Sequence, residues 1–136
     1  SFSVRQYGCH AGIVLTASHN PKEYNGYKVY WEDGGQLVPP HDQAILRAVR
    51  DVQLDDIRWE GGEDRIAKFG EDADQEYLNK VAKLSMNPGM GNANFNLVFT
   101  ALHGTSITMV PPALERFGFK NVHILEAQAT PDGNFP

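Results

Sequence analysis

The chain has 136 residues, 41% of them hydrophobic, and carries a formal charge of −5 from 12 Lys and Arg against 17 Asp and Glu. This composition suits a packed, globular core rather than a disordered chain. The basic residues are too few and too scattered for a nucleic-acid footprint, so no nucleic-acid partner is expected. No apolar stretch approaches the roughly 20 residues of a membrane helix, and no basic-then-apolar start resembles a secretion signal. No membrane partner is expected either. Cys9 is the single cysteine, which excludes an internal disulfide and fits a reducing cytoplasm. The five histidines, at 10, 19, 41, 103 and 123, show no close helical spacing to one another, which disfavours zinc.

In chain order, residues 12 to 16 read as a short, buried aliphatic strand that delivers the polar loop Thr-Ala-Ser-His-Asn-Pro, 16 to 21. Asn25-Gly26 is a turn signal because both residues tolerate positive φ, and Tyr27 to Trp31 is rich in strand formers. Alternation along that strand sets Tyr27, Val29 and Trp31 on one face and Lys28, Tyr30 and Glu32 on the other, so Lys28 is expected to point away from the core. Gly34-Gly35 makes a further turn. Pro39-Pro40 precedes an amphipathic helix with Ala44, Ile45, Ala48, Val49 and Val52 at helical spacing and Asp42 as its expected N-cap.

From Arg50 to Glu76 the chain turns polar and charged around Gly61-Gly62, the composition of a linker, and a domain boundary is expected there. Tyr77, Leu78, Val81 and Leu84 then form a helical apolar stripe, with acidic residues at its start and Lys80 and Lys83 toward its end. Asp72-Ala-Asp74 resembles a metal motif only superficially, and the helix dipole explains it at less cost. Ser85 to Asn96 reads as loop and is the alternative place for the domain boundary. Beyond it come a strand at 97 to 100, a helix from Thr108 to Phe117 closed by Gly118, and a strand at 122 to 125. That order is a parallel α/β unit. Its first loop, Ala101 to Ser106, is expected at the carboxyl end of a strand, where α/β folds commonly place ligands. The chain begins at Ser1 rather than methionine and ends in the turn-rich stretch Thr130 to Pro136, which reads as an excerpt.

Ser18 is the residue on which function turns. A serine hydrolase presents its nucleophile in a Gly-x-Ser-x-Gly elbow, whereas Thr16 and Asn20 stand where those glycines belong. His19, adjacent in sequence, is poorly placed as a triad base, since triad partners come from separate segments. A phosphoryl group fits better: phosphoserine carries roughly −1.5 to −2 charges and needs cations and donors, which His19, Asn20, Lys22 and Lys28 can supply. The plainer alternatives are a turn or capping residue for Ser18, a solvated strand residue for Lys28, and turn residues for His19 and His103.

The stretch "GIVLTASHNPKEYNGYKVYWEDGGQLVPP" resembles the phosphoserine loop of the α-D-phosphohexomutase superfamily, in its phosphoglucomutase/phosphomannomutase family and phosphopentomutase-like branch. The segment "VFTALHGTSITMVPPALERFGFKNVHILEAQATPDGNFP" is similar to the start of the second domain of that family. The resemblance implies an α/β fold of mixed-sheet, three-layer domains, both incomplete here. Residues 1–56 would be the C-terminal part of domain I, 57–71 a charged linker, and 72–136 the N-terminal part of domain II.

It further implies intramolecular phosphoryl transfer on hexose or pentose phosphates, such as glucose 1-phosphate to glucose 6-phosphate, through a phosphoserine and a sugar bisphosphate that also serves as activator. By that resemblance Ser18 is the phosphoserine and, through its phosphate, a ligand of Mg2+. Lys28 assists proton transfer at the sugar hydroxyl, His19 helps hold the site, and Thr16, Asn20 and His103 bind substrate or phosphate. The Asp-x-Asp-x-Asp-Arg magnesium loop, the sugar-selecting Gly-Glu-x-Ser loop and the Arg-x-Ser-Gly-Thr phosphate-binding domain do not occur in the sequence, and Ser106 stands where many relatives have glycine. The excerpt alone is therefore expected to be inactive. A non-enzymatic module that binds sugar phosphates, or a regulatory one, is the alternative.

Overall fold

A computed structural model describes residues 1–89 and 94–136. The chain divides into two compact units, Ser1–Ala67 and Lys68–Pro136.

The first unit is built on a β-hairpin. Strand β1 (Ala11–Leu15) pairs antiparallel with β2 (Tyr27–Trp31), with Ala11 opposite Trp31, Gly12 opposite Tyr30, Val14 opposite Lys28 and Leu15 opposite Tyr27. A short helix, α1 (Phe2–Gln6), precedes it; five residues are too few for a helical period to show in the sequence. Val4 of α1 is buried, and a Cβ added at Gly12 would stand 2.6 Å from its Cγ2. Gly12 is thus where the helix rests on the hairpin. After β2 the chain turns at Gly34, φ 78°, and folds back so that Gln36 bridges Tyr30.

Helix α2 (His41–Asp51) lies on the opposite side of the sheet from α1. Tyr27, Val29 and Leu37 line one cavity with Ile45 and Leu46 of α2, and Trp31 stacks on His41 at 5.8 Å between ring centroids. Asp42 lies inside the first turn, because Pro40 takes the N-cap position. Its Oδ1 accepts the Gln43 amide at 2.7 Å rather than capping from outside.

One further expectation for this unit is corrected. β1 is not a buried strand: Ile13 is 58% and Leu15 67% exposed, since β1 is paired only with β2 among the described residues and α1 covers it only near Gly12. Lys28 lies, as alternation set it, on the face opposite Tyr27, Val29 and Trp31, against which α2 packs. Directly opposed residues of an antiparallel pair share a face, so Lys28 lies with Val14, Thr16, Tyr30 and Gly12 on the side where α1 packs, and it is half-buried. The stripe of α2 stays largely open, with Val49 exposed and Val52 already past the helix end.

Between α2 and the second unit run two 3₁₀ turns, Leu54–Asp56 and Glu63–Arg65, the latter entered through Gly61 and Gly62, both at φ 93°.

The second unit pairs β3 (Asn96–Phe99) in parallel with β4 (Asn121–Ile124), through a crossover carrying α4 (Val110–Arg116). Leu97, Phe99, Val122 and Ile124 form the covered face of this sheet, while Val98 and His123 are exposed on the other. Helix α3 (Glu71–Ala82) packs on α4, and the Arg116 guanidinium donates to Gln75 Oε1 and to Asn79 Oδ1. Leu78, 2% exposed, is the buried centre of α3. Leu84, expected in the same stripe, lies beyond the helix and is exposed.

The predicted helix over 108 to 117 is shorter than expected, because Pro111 and Pro112 cannot donate backbone hydrogen bonds. A 3₁₀ turn over Thr105–Ile107 leads in, and α4 starts at Val110. Gly118, φ 92°, closes it: its amide donates to Glu115 O and that of Phe119 to Leu114 O, the paired bonds of a Schellman cap. Of the loop expected over 85 to 96, residues 90 to 93 lie outside the described residues, and 96 already belongs to β3. Among the described residues no helix is long and apolar enough to cross a membrane.

Candidate active site

The loop leaving β1 is shaped by Thr16. Its amide donates to Gly26 O at 3.0 Å, extending the hairpin by one rung, and its Oγ1 accepts the Ser18 amide at 2.9 Å. The Asn20 amide then donates to Ala17 O at 3.0 Å, closing a β-turn over Ala17–Asn20 with Ser18 and His19 at its tip. A second turn, Tyr24 amide to Pro21 O, brings the chain back toward β2.

Ser18 sits in the left-handed region at φ 56°, and it is exposed. A non-glycine residue there costs about 1–2 kcal/mol, and such strain collects where function holds a side chain in place. The elbow-like kink thus falls on the serine itself, without flanking glycines. It also sets Ser18 Oγ 3.3 Å from His19 Nδ1, so the neighbour that sequence adjacency made a poor triad base stands within reach of the hydroxyl. Among the described residues no carboxylate is hydrogen-bonded to the His19 ring, so the three-membered relay of a serine hydrolase is not assembled.

Asn25-Gly26 works differently from expectation. Neither residue has positive φ. Gly26 is required for close approach: an added Cβ would stand 2.4 Å from Thr16 O. Asn25 Oδ1 accepts the Gly26 amide at 3.2 Å.

Lys28 follows two residues along β2 from Gly26, about 7 Å at strand rise, on the face that also carries Thr16. Thr16, Ser18, His19 and Asn20 therefore share one hydrogen-bonded loop, and Lys28 stands beside its root. His103 belongs to the second unit. There, Leu102 and His103 take φ 47° and 57°, and His103 is 8% exposed. Its amide donates to Gln128 O, its carbonyl accepts from the Asp132 amide, and its Nδ1 lies 3.0 Å from Thr130 O. A carbonyl can only accept, so Nδ1 carries the proton. Thr100 Oγ1, donating to Gln128 Oε1 at 2.6 Å and accepting the Leu102 amide, completes a latch across the carboxyl ends of β3 and β4.

Residues 1–56 match the model of phosphoglucomutase/phosphomannomutase α/β/α domain I, and residues 75–136 that of α/β/α domain II. The chain belongs to the phosphoglucomutase/phosphomannomutase family. It is 37% identical over 139 aligned residues to phosphoglucomutases of Staphylococcus aureus strains MRSA252 and USA300, and 36% identical to that of strain N315; each alignment covers 99% of the chain. The chain spans 25% of the length of these relatives. The α/β/α architecture of the family accords with a hairpin lying between α1 and α2 and with a parallel strand pair joined through α4.

What sequence reasoning missed in this phosphoglucomutase/phosphomannomutase chain is the hydrogen bonding that holds the loops. The hydroxyl at Thr16, two residues before Ser18, was the available signal for the first, since Ser and Thr side chains commonly bond the backbone two residues on. For the His103 latch no local signal exists, because its partners lie 25 to 29 residues away in the sequence.

Among the described residues no group of three or more His, Cys, Asp or Glu side chains is placed to hold a metal ion. Exposed Ser18, once phosphorylated, would offer phosphate oxygen to a Mg2+ ion, and among the described residues no carboxylate cluster adds to it.

Proposed function

We propose that the chain carries the phosphoserine loop of a phosphosugar mutase of the reducing cytoplasm, acting on hexose or pentose phosphates and, by likeness to relatives named phosphoglucomutase, on glucose 1-phosphate and glucose 6-phosphate. The observation that carries this reading is Ser18 itself, exposed at the tip of a turn, left-handed, and held by Thr16 Oγ1. Phosphoryl transfer is chiefly a matter of positioning and charge neutralisation, and a fixed, protruding hydroxyl meets the first need.

In the forward half-reaction the sugar hydroxyl attacks the phosphorus of phospho-Ser18. The bond from phosphorus to the sugar oxygen forms, that to Ser18 Oγ breaks, and a sugar bisphosphate results. The proton lost by the sugar hydroxyl is taken up beside the site, where Lys28 assists, and Ser18 Oγ regains one. After the bisphosphate reorients, Ser18 Oγ attacks its other phosphoryl group, restoring phospho-Ser18 and releasing the isomerised monophosphate. His19, Thr16 and Asn20 hold the loop and its phosphate, and His103 takes part in substrate binding. Magnesium, bound through the Ser18 phosphate, would supply charge neutralisation at the phosphoryl oxygens.

The test is peptide mass spectrometry of the full-length protein purified from cells. A phosphoryl mass is expected on the peptide containing Ser18, rising after incubation with a sugar bisphosphate and lost in Ser18→Ala. Undiminished interconversion of sugar phosphates by Ser18→Ala would overturn the proposal. Labelling of Ser18 by a fluorophosphonate would favour a hydrolase instead.

A further inference from the structure

The turn that returns the chain to β2 carries a reactive pair the mutase reading does not use. Asn25 is exposed, and the Gly26 amide nitrogen lies 3.2 Å from its Oδ1, hence close to the carbonyl carbon that bears that oxygen. Glycine puts no Cβ in the way of ring closure. From this geometry we propose that Asn25 is a site of self-deamidation, converted to aspartate and isoaspartate through a succinimide.

The step balances without any cofactor. The Gly26 nitrogen loses its proton and attacks Asn25 Cγ. The bond from Gly26 N to Cγ forms, the bond from Cγ to Nδ2 breaks, and ammonia departs. Water then opens the five-membered ring at either carbonyl, giving aspartate or isoaspartate. Holding the Gly26 nitrogen beside the Asn25 side chain lowers the entropic barrier that such a closure meets in a free chain.

The rest of the molecule supplies the contrast. Asn20 and Asn87 precede prolines, whose nitrogen has no proton to lose, and the other asparagines precede residues with side chains that crowd the ring. At Asp132-Gly133, the analogous acidic pair, Asp132 Oδ1 accepts both the Asn134 amide at 2.8 Å and Asn134 Nδ2 at 2.9 Å, an arrangement that turns the carboxyl toward residue 134.

The change matters because Gly26 O accepts the Thr16 amide, the bond at the root of the Ser18 loop. Isoaspartate adds a methylene to the backbone beside that bond, and either product replaces a neutral amide with a carboxylate. The modification itself does not depend on the phosphoserine reading.

The experiment incubates the chain under native conditions at mildly alkaline pH, with circular dichroism reporting that it remains folded, and follows each asparagine by peptide mass spectrometry and by an isoaspartate-specific methyl-transfer assay. Deamidation at Asn25 ahead of every other asparagine, faster at higher pH, and absent in Asn25→Gln, is the expected result. Any other order among the asparagines, or modification of Asn25 only after the chain is unfolded in urea, overturns the proposal. In the modified chain, faster hydrogen exchange at the Thr16 amide reads the weakened rung.

Discussion

Thr16 Oγ1 accepts the amide of Ser18 at 2.9 Å, so a hydroxyl two residues upstream steadies a serine whose backbone is left-handed. The same threonine binds Gly26 through its own amide and leaves its carbonyl oxygen in the space where a Gly26 side chain would stand. One residue therefore fixes both the entry of the loop and the presentation of the proposed phosphoryl carrier.

The left-handed backbone separates stability from function at Ser18. Glycine adopts φ 56° freely and alanine does not, so Ser18→Gly should be about 1 kcal/mol more stable than Ser18→Ala while both lose phosphoryl acceptance. Urea denaturation of the two variants, alongside phosphopeptide mass spectrometry, checks this; equal midpoints would show that no strain resides there.

Gly26→Ala drives a methyl group into Thr16 O, which is backbone and cannot swing aside. The expected cost is about 1–3 kcal/mol, as for other insertions into filled space. It should appear as a lower denaturation midpoint together with faster hydrogen exchange at the Thr16 amide. Gly61→Ala is a partial control: nothing lies within 4 Å of its added Cβ, so only the penalty of its positive φ remains.

Removing the His103 ring leaves the carbonyl of Thr130 without the donor that Nδ1 supplies. His103→Ala should destabilise the second unit by about 1–3 kcal/mol. Asparagine tolerates the left-handed backbone and offers a side-chain N–H, so His103→Asn should recover part of that loss. Equilibrium denaturation of both variants decides between a hydrogen-bonded latch, which predicts the partial rescue, and mere space-filling, which does not.

The two ends of helices α3 and α4 predict opposite signs. Gly118 closes α4 at φ 92°, so Gly118→Ala should cost about 1–2 kcal/mol. Gly70 is the N-cap of α3, makes no side-chain cap bond, and has nothing within 4 Å of an added Cβ. Gly70→Asp should therefore stabilise by a few tenths of a kcal/mol through capping and the helix dipole. Thermal unfolding of each variant tests the pair.

Local chemistry alone was enough for several elements. Tyr27 to Trp31 is a strand because all of its residues but Lys28 are aromatic or β-branched, and the acidic start of α3 and Gly118 at the end of α4 follow rules that act within a few residues. The strand, helix, strand order of the second unit was legible for the same reason, as was the family through the contiguous motif around Ser18.

Tertiary structure decided what depends on contacts between segments. Both faces of the hairpin are partly covered, the Lys28 face by α1 near Gly12 and the Tyr27 face by α2, an arrangement that strand alternation alone does not contain. Gly26 proved to be a site of close approach rather than of positive φ because Thr16 O, ten residues away in sequence, occupies the space. His103 became the centre of a latch only when Gln128, Thr130 and Asp132 were brought to it. Helical and strand propensities act within a few residues, whereas steric exclusion and hydrogen-bond partnership are properties of neighbours in space.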